Sequence, residues 1–76
     1  MVANGLALTP RQQAMLDFIR QFIAKHHYAP TYEEIRVGMN LSTKSLVDYH
    51  LTKIEAAGYI GLEPHKARAI YLLAQD

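Results

Sequence analysis

Apolar positions recur at helical spacing in the first third of the chain and alternate like strands in the last. Met15, Leu16, Ile19, Phe22 and Ile23 form one broad stripe, with Arg11, Gln13, Asp17, Arg20, Gln21 and Lys25 largely on the other side. This predicts a first helix running to about Lys25. Its start is written in Thr9-Pro10-Arg11-Gln12, where Thr9 and Gln12 can form a reciprocal capping box and Pro10 suits the first helical position. Pro30 disfavours helix at Ala29. Thr31 and Glu34 make a second capping box, opening a short helix through about Val37 with Ile35 inward. Gly38 is expected to end it in a left-handed conformation.

A third helix follows Met39-Asn40-Leu41, with Ser42 as its expected cap and Gly58 as its stop. At about 100° per residue, Val47, Leu51 and Ile54 share one face, with His50 on its flank. Ser45, Tyr49, Thr52 and Ala56 share the opposite face, and Lys44, Asp48 and Lys53 border it. Beyond Gly58 the period changes. Ile60 with Leu62, and Ile70 with Leu72, are expected to point inward from two strands, joined by the polar loop Glu63–Arg68. Such a hairpin is marginal alone and must pack on the helices. The predicted fold is mainly α with a small β-hairpin: a winged helix-turn-helix, three helices followed by a two-stranded antiparallel wing. Residues 1–8 are expected to be a flexible arm, with Leu6 and Leu8 against the core, and residues 9–76 the domain.

Composition narrows the function classes. Seventy-six residues support one small core. No cysteine is present, which removes disulfides and thiolate metal sites. No apolar run is long enough to span a bilayer, and the first ten residues lack a signal-peptide pattern. His26, His27, His50 and His65 match no zinc spacing. His50 is instead expected to be packed, with its ring N–H on a carbonyl. No Gly-rich phosphate loop or paired-carboxylate pocket points to catalysis, so no catalytic residue, cofactor or metal is expected. Eight Lys and Arg against seven Asp and Glu leave a net charge of +1. That is below the basic balance usual for nucleic-acid binders, so local placement of charge matters more.

In a helix-turn-helix the second helix of the motif enters the major groove by its N-terminal half. This singles out Thr43, Lys44, Ser45, Asp48 and Tyr49 as base-reading candidates: Lys44 can donate to guanine, Ser45 and Thr43 can pair with several bases, and Asp48 can accept from cytosine. The same stripe also reads as ordinary surface. Thr31, Tyr32 and Ser42 near helix starts, Thr52 and Lys53 along the stripe, and His65, Lys66 and Arg68 in the wing are candidate phosphate contacts. The alternative is a protein-interaction winged helix using Tyr49, Tyr59 and Tyr71.

Thr9-Pro10-Arg11-Gln12-Gln13, Ala29-Pro30-Thr31-Tyr32-Glu33-Glu34-Ile35, His50-Leu51 and Glu55-Ala56-Ala57-Gly58-Tyr59-Ile60 resemble the N-terminal DNA-binding domain of the LexA repressor family. The resemblance covers about Leu8 to Leu73. It implies sequence-specific binding of double-stranded operator DNA, transcriptional repression and a cytoplasmic, nucleoid-associated setting in bacteria or phage. It also implies base reading by Thr43, Ser45, Leu46, Asp48 and Tyr49, with the wing on the backbone. A second copy on a paired half-site is the expected partner besides DNA; no membrane or small-molecule substrate is expected. Two departures stand out. The reading positions differ from the well-known repressor, so its operator does not transfer, and Asn40 stands where the turn would carry Gly. The self-cleaving Ser–Lys half of the family, which underlies its SOS response, is not found in these 76 residues, so no enzyme activity is expected.

Overall fold

Two reciprocal capping boxes set the helical part of the fold. Gln12 donates its amide to Thr9 Oγ1 at 3.1 Å and its side-chain oxygen accepts the Thr9 amide at 3.2 Å. Glu34 and Thr31 repeat the arrangement at 3.0 and 2.8 Å. The computed structural model describes residues 7–74. Within them lie α1 (Pro10–His26), α2 (Tyr32–Gly38), α3 (Lys44–Ala56), β1 (Ile60–Leu62) and β2 (Ile70–Leu72). The strands pair antiparallel, Ile60 with Leu72, Gly61 with Tyr71 and Leu62 with Ile70. This is a winged helix. Residues 1–6 of the expected arm, Leu6 included, lie outside the described residues, whereas Leu8 packs partly buried against the core.

One core joins all five elements. Met15, Leu16 and Ile19 of α1 meet Ile35 of α2, Val47, Leu51 and Ile54 of α3, and Ile60 and Ile70 of the wing, with Leu41 and Ala29 closing its edges. Strands this short contribute little alone, and Ile60 and Ile70 anchor them by leaving water.

Three expectations are corrected. Gly38 is the last residue of α2 and is not left-handed; the left-handed residue of the turn is Asn40, at φ 56°. Gly38 is small for another reason: any Cβ there would meet the Phe18 ring. Ser42 does not cap α3. Thr43 does, its hydroxyl accepting the Leu46 amide at 3.2 Å, so residues 39–43 separate α2 from α3. Leu72 shares the inward face with Ile70 and with its cross-strand partner Ile60, but at the strand's end it stays 38% exposed. His50 meets the side chain of Gln12, not a carbonyl. Gly58 does stop α3, at φ 92°. The helices otherwise keep their expected extents, α1 gaining His26 before His27 turns left-handed at φ 66°.

The turn between α2 and α3 is held from α2. Arg36 donates to Glu33 at 2.9 and 2.7 Å and, from Nη1, to the Leu41 carbonyl at 3.2 Å. The amide of Leu41 returns to the Arg36 carbonyl at 2.8 Å. These bonds, with buried Leu41, fix where α3 begins and hence which of its residues face outward.

Candidate nucleic-acid interface

The sequence of α3 gives it two faces. Val47, Leu51 and Ile54 are fully buried. Ser45, Tyr49, Thr52 and Ala56 are exposed on the opposite side, with Lys44, Leu46, Asp48 and Lys53 exposed around them. All six base-reading candidates, Thr43 to Leu46 with Asp48 and Tyr49, therefore lie outside the core on or beside one helix. Leu46 and Tyr49 are the large side chains on this exposed face, at 39% and 54% exposure.

The exposed face is not uniformly mobile chemistry. The Thr52 hydroxyl donates to the Asp48 carbonyl at 2.8 Å, so it presents acceptor lone pairs outward and no free hydrogen. Lys53 Nζ lies 5.5 Å from the Tyr49 ring centre, and the Tyr49 and His50 rings meet edge-to-face at 5.2 Å. Tyr49 is thus held between a cation and an imidazole.

His50 is in turn held by α1. Gln12, a buried polar residue at 6% exposure, places Nε2 3.3 Å from His50 Nδ1. The Gln12 oxygen is occupied by the Thr9 amide, so its nitrogen faces the ring. An amide nitrogen only donates; Nδ1 must accept, and the ring proton sits on Nε2. Burial, with the Arg11 charge second, holds the His50 pKa below its ordinary value and keeps this neutral form. Sequence reading assigned Gln12 only to the cap. The signal for its second role was His50 on the flank of an apolar seam, where a buried ring nitrogen needs a partner.

The other phosphate candidates divide. Tyr32 is half-buried; burial, then Asp48 and Glu55 of α3, raise its phenol pKa, so it is a neutral donor at the α2–α3 border. Thr31 is engaged in its capping box, and Ser42, released from capping, is exposed just before α3. In the wing, His65 stands at the tip with φ 65°. Lys66 pairs with Glu63 at 3.5 Å in the open, a contact of little energy. Arg68 is folded back onto the helices: it donates to Glu34 at 2.8 Å and to the Ala29 carbonyl at 2.7 Å. That pairing holds the Glu34 carboxyl below, and the Arg68 guanidinium above, its ordinary pKa. The structure thus gathers the α3 candidates on one face and leaves Arg68 with different partners.

Comparison with known proteins agrees with this geometry. The family model described as the LexA DNA binding domain matches residues 6–69. Relatives named LexA repressor are similar over 69 residues, or 91% of this chain: 42% identical in Bacillus thuringiensis (strain Al Hakam), and 41% in Bacillus cytotoxicus and Geobacillus thermodenitrificans. The chain covers 34%, 34% and 33% of these three relatives, so it spans about a third of their length.

Proposed function

Because the chain belongs to the LexA DNA-binding-domain family, we propose that it binds double-stranded DNA sequence-specifically, as the DNA-binding module of a transcriptional repressor. In this reading α3 lies in the major groove. Thr43, Lys44, Ser45, Leu46, Asp48 and Tyr49 face base edges there, while Ser42, Thr52, Lys53, Tyr32 and the wing tip at His65 and Lys66 lie nearest the phosphates. The observation that carries it is the division of α3: an apolar face at 0% exposure, and an exposed face that begins at a capped N-terminus and carries the hydroxyls of Thr43, Ser45, Tyr49 and Thr52. A face built only for solubility would carry more Glu and Lys.

The net charge of +1 argues that one copy binds weakly. Two copies on half-sites about 34–36 Å apart, or a multiple of that, would supply affinity without a more basic surface. Repression follows if such sites overlap a promoter, in the cytoplasm of a bacterial host.

Selection from random duplex DNA, with the chain alone and with two copies tethered, tests this reading. Enrichment of one motif, paired in the tethered form, is expected. Recovery of unrelated sequences by both forms would overturn it, and binding that ignores added salt would favour the protein-interaction alternative.

A further inference from the structure

Among the described residues, the wing is tied to the helical body by two kinds of contact. One is apolar, Ile60 and Ile70 in the core. The other is Arg68, in the loop just before β2. Its Nη1 donates to the Ala29 carbonyl at 2.7 Å and to Glu34 Oε1 at 2.8 Å, and its Nη2 to Glu34 Oε2 at 3.3 Å. The guanidinium lies over the Tyr28 ring, 4.3 Å from its centre. Tyr28 is itself braced, edge-on to Phe22 at 5.8 Å and beside His26 at 5.5 Å. These contacts join residues 34 and 39 positions apart in the chain.

We propose that Arg68 is a positioning residue for DNA binding: it latches the wing to the α1–α2 corner and so sets where the wing tip meets DNA, without touching DNA itself. This rests on the DNA-binding reading above. Three of the five N–H donors of the guanidinium are engaged, and a carboxylate neutralises its charge. Turning Arg68 outward to a phosphate would leave the Ala29 carbonyl and Glu34 without this partner and uncover Tyr28. Glu34 also accepts the Thr31 amide, so one carboxylate both starts α2 and holds the wing. His65 and Lys66, three and two residues before Arg68, take their position from the latch, since the loop is closed on its other side by the Glu63 amide on the Ala69 carbonyl at 2.9 Å. Lysine has a single point charge and cannot reproduce a fork that spans a carbonyl and both carboxylate oxygens.

The test separates a latch from a phosphate contact by sign. Glu34→Gln keeps an acceptor for the α2 cap and removes the charge that holds Arg68. A latch predicts about tenfold weaker DNA binding for Glu34→Gln, Arg68→Lys and Arg68→Gln, with the salt slope of the wild type and no further loss when Glu34→Gln and Arg68→Gln are combined. A phosphate contact predicts that Arg68→Gln lowers the slope by about 0.9 and that Glu34→Gln, which frees the cation, binds as well or better; that pair of results overturns the proposal. Hydrogen exchange at the Glu63 amide in the DNA-free domain is the second readout. It should quicken in all three variants while the α3 amides keep their protection, and unchanged exchange there would also overturn the latch. A wild type that binds no DNA would defeat the proposed function alone, since exchange in the free domain still decides whether Arg68 holds the wing.

Discussion

Leu51 and Tyr49 stand two residues apart on α3 and should respond oppositely to truncation. Leu51 is 0% exposed, at the junction of all three helices and the wing. Leu51→Ala removes three carbons, about 2.4 kcal/mol of transfer free energy at about 0.8 per methylene. The unfilled cavity raises this to about 3–4 kcal/mol. A domain of this length has only about 4–11 kcal/mol in total, and at about 4–8 °C per kcal/mol its midpoint should fall by roughly 12–30 °C. Tyr49 is 54% exposed, and its ring touches only the edge of His50 and the Lys53 ammonium among the interactions seen. Tyr49→Ala should cost no more than about 1 kcal/mol, part of it offset by the better helix propensity of alanine. Urea unfolding followed by circular dichroism measures both. Random-duplex selection on the same proteins should then show a changed base preference for Tyr49→Ala, and for Ser45→Ala, at a discrimination of about 1–3 kcal/mol per lost contact. Equal destabilisation by Tyr49→Ala and Leu51→Ala would refute the two-faced reading of α3. So would a Tyr49→Ala and Ser45→Ala pair that keeps wild-type affinity and preference.

The remaining predictions concern the turn, the cap and the imidazole. Thr43→Ala should cost about 1 kcal/mol and Ser42→Ala almost nothing, read as the difference in urea midpoints, because the hydroxyl of Thr43 alone accepts the Leu46 amide. Asn40→Val should cost about 1–2 kcal/mol by the same assay, whereas Asn40→Gly should be close to neutral, since φ is 56° there. His50 is held below its ordinary pKa of 6.5, so the unfolded chain takes up the proton first. Its stability contribution is therefore complete above 6.5 and lost as pH falls through the folded value. His50→Gln should flatten that decline in stability-versus-pH curves. The second loss, from Glu33 and Glu34, should persist as pH falls below their ordinary 4.5 and through the lowered values that Arg36 and Arg68 impose.

What was legible in the sequence was local. Both capping boxes, the helix order, the two faces of α3, the stop at Gly58 and the strand pair follow from spacing within a few residues, where side chain and backbone must meet whatever the rest of the chain does. The misreadings arose where two local solutions competed or where the partner was distant. Ser42 and Thr43 are both good caps, and the choice between them rests on how buried Leu41 and the Arg36 bonds wind the turn. Gly38 does end α2, but it is not left-handed, and its small size serves the Phe18 ring twenty positions earlier. At the candidate site the exposed face of α3 was visible because it is one helix. Gln12 with His50, and Arg68 with Ala29 and Glu34, were not, because 34 to 39 residues separate the partners and no periodicity encodes such pairs.

Three ion pairs show where much of the positive charge of so neutral a chain is engaged. Arg36, Lys66 and Arg68 are each matched to a glutamate among the described residues, and Arg68 and Arg36 also hold loops in place. Their charge acts on geometry, fixing the turn before α3 and the wing after it. Lys44 and Lys53, which border the exposed face, carry no such pairing among the described interactions; Lys53 rests on Tyr49. A surface ion pair contributes at most about 1 kcal/mol of stability, so these pairings matter less for holding the fold than for where they leave positive potential. Besides Lys44 and Lys53, Arg11, Arg20 and Lys25 of α1 also form no ion pair among the described interactions, so only part of the remaining positive charge borders α3. A more basic exterior would raise affinity for any duplex and dilute the sequence choice that the proposed function assigns to Ser45, Asp48 and Tyr49. On the proposed DNA-binding reading, the low net charge would favour discrimination over grip, and grip would come from the pairing of copies.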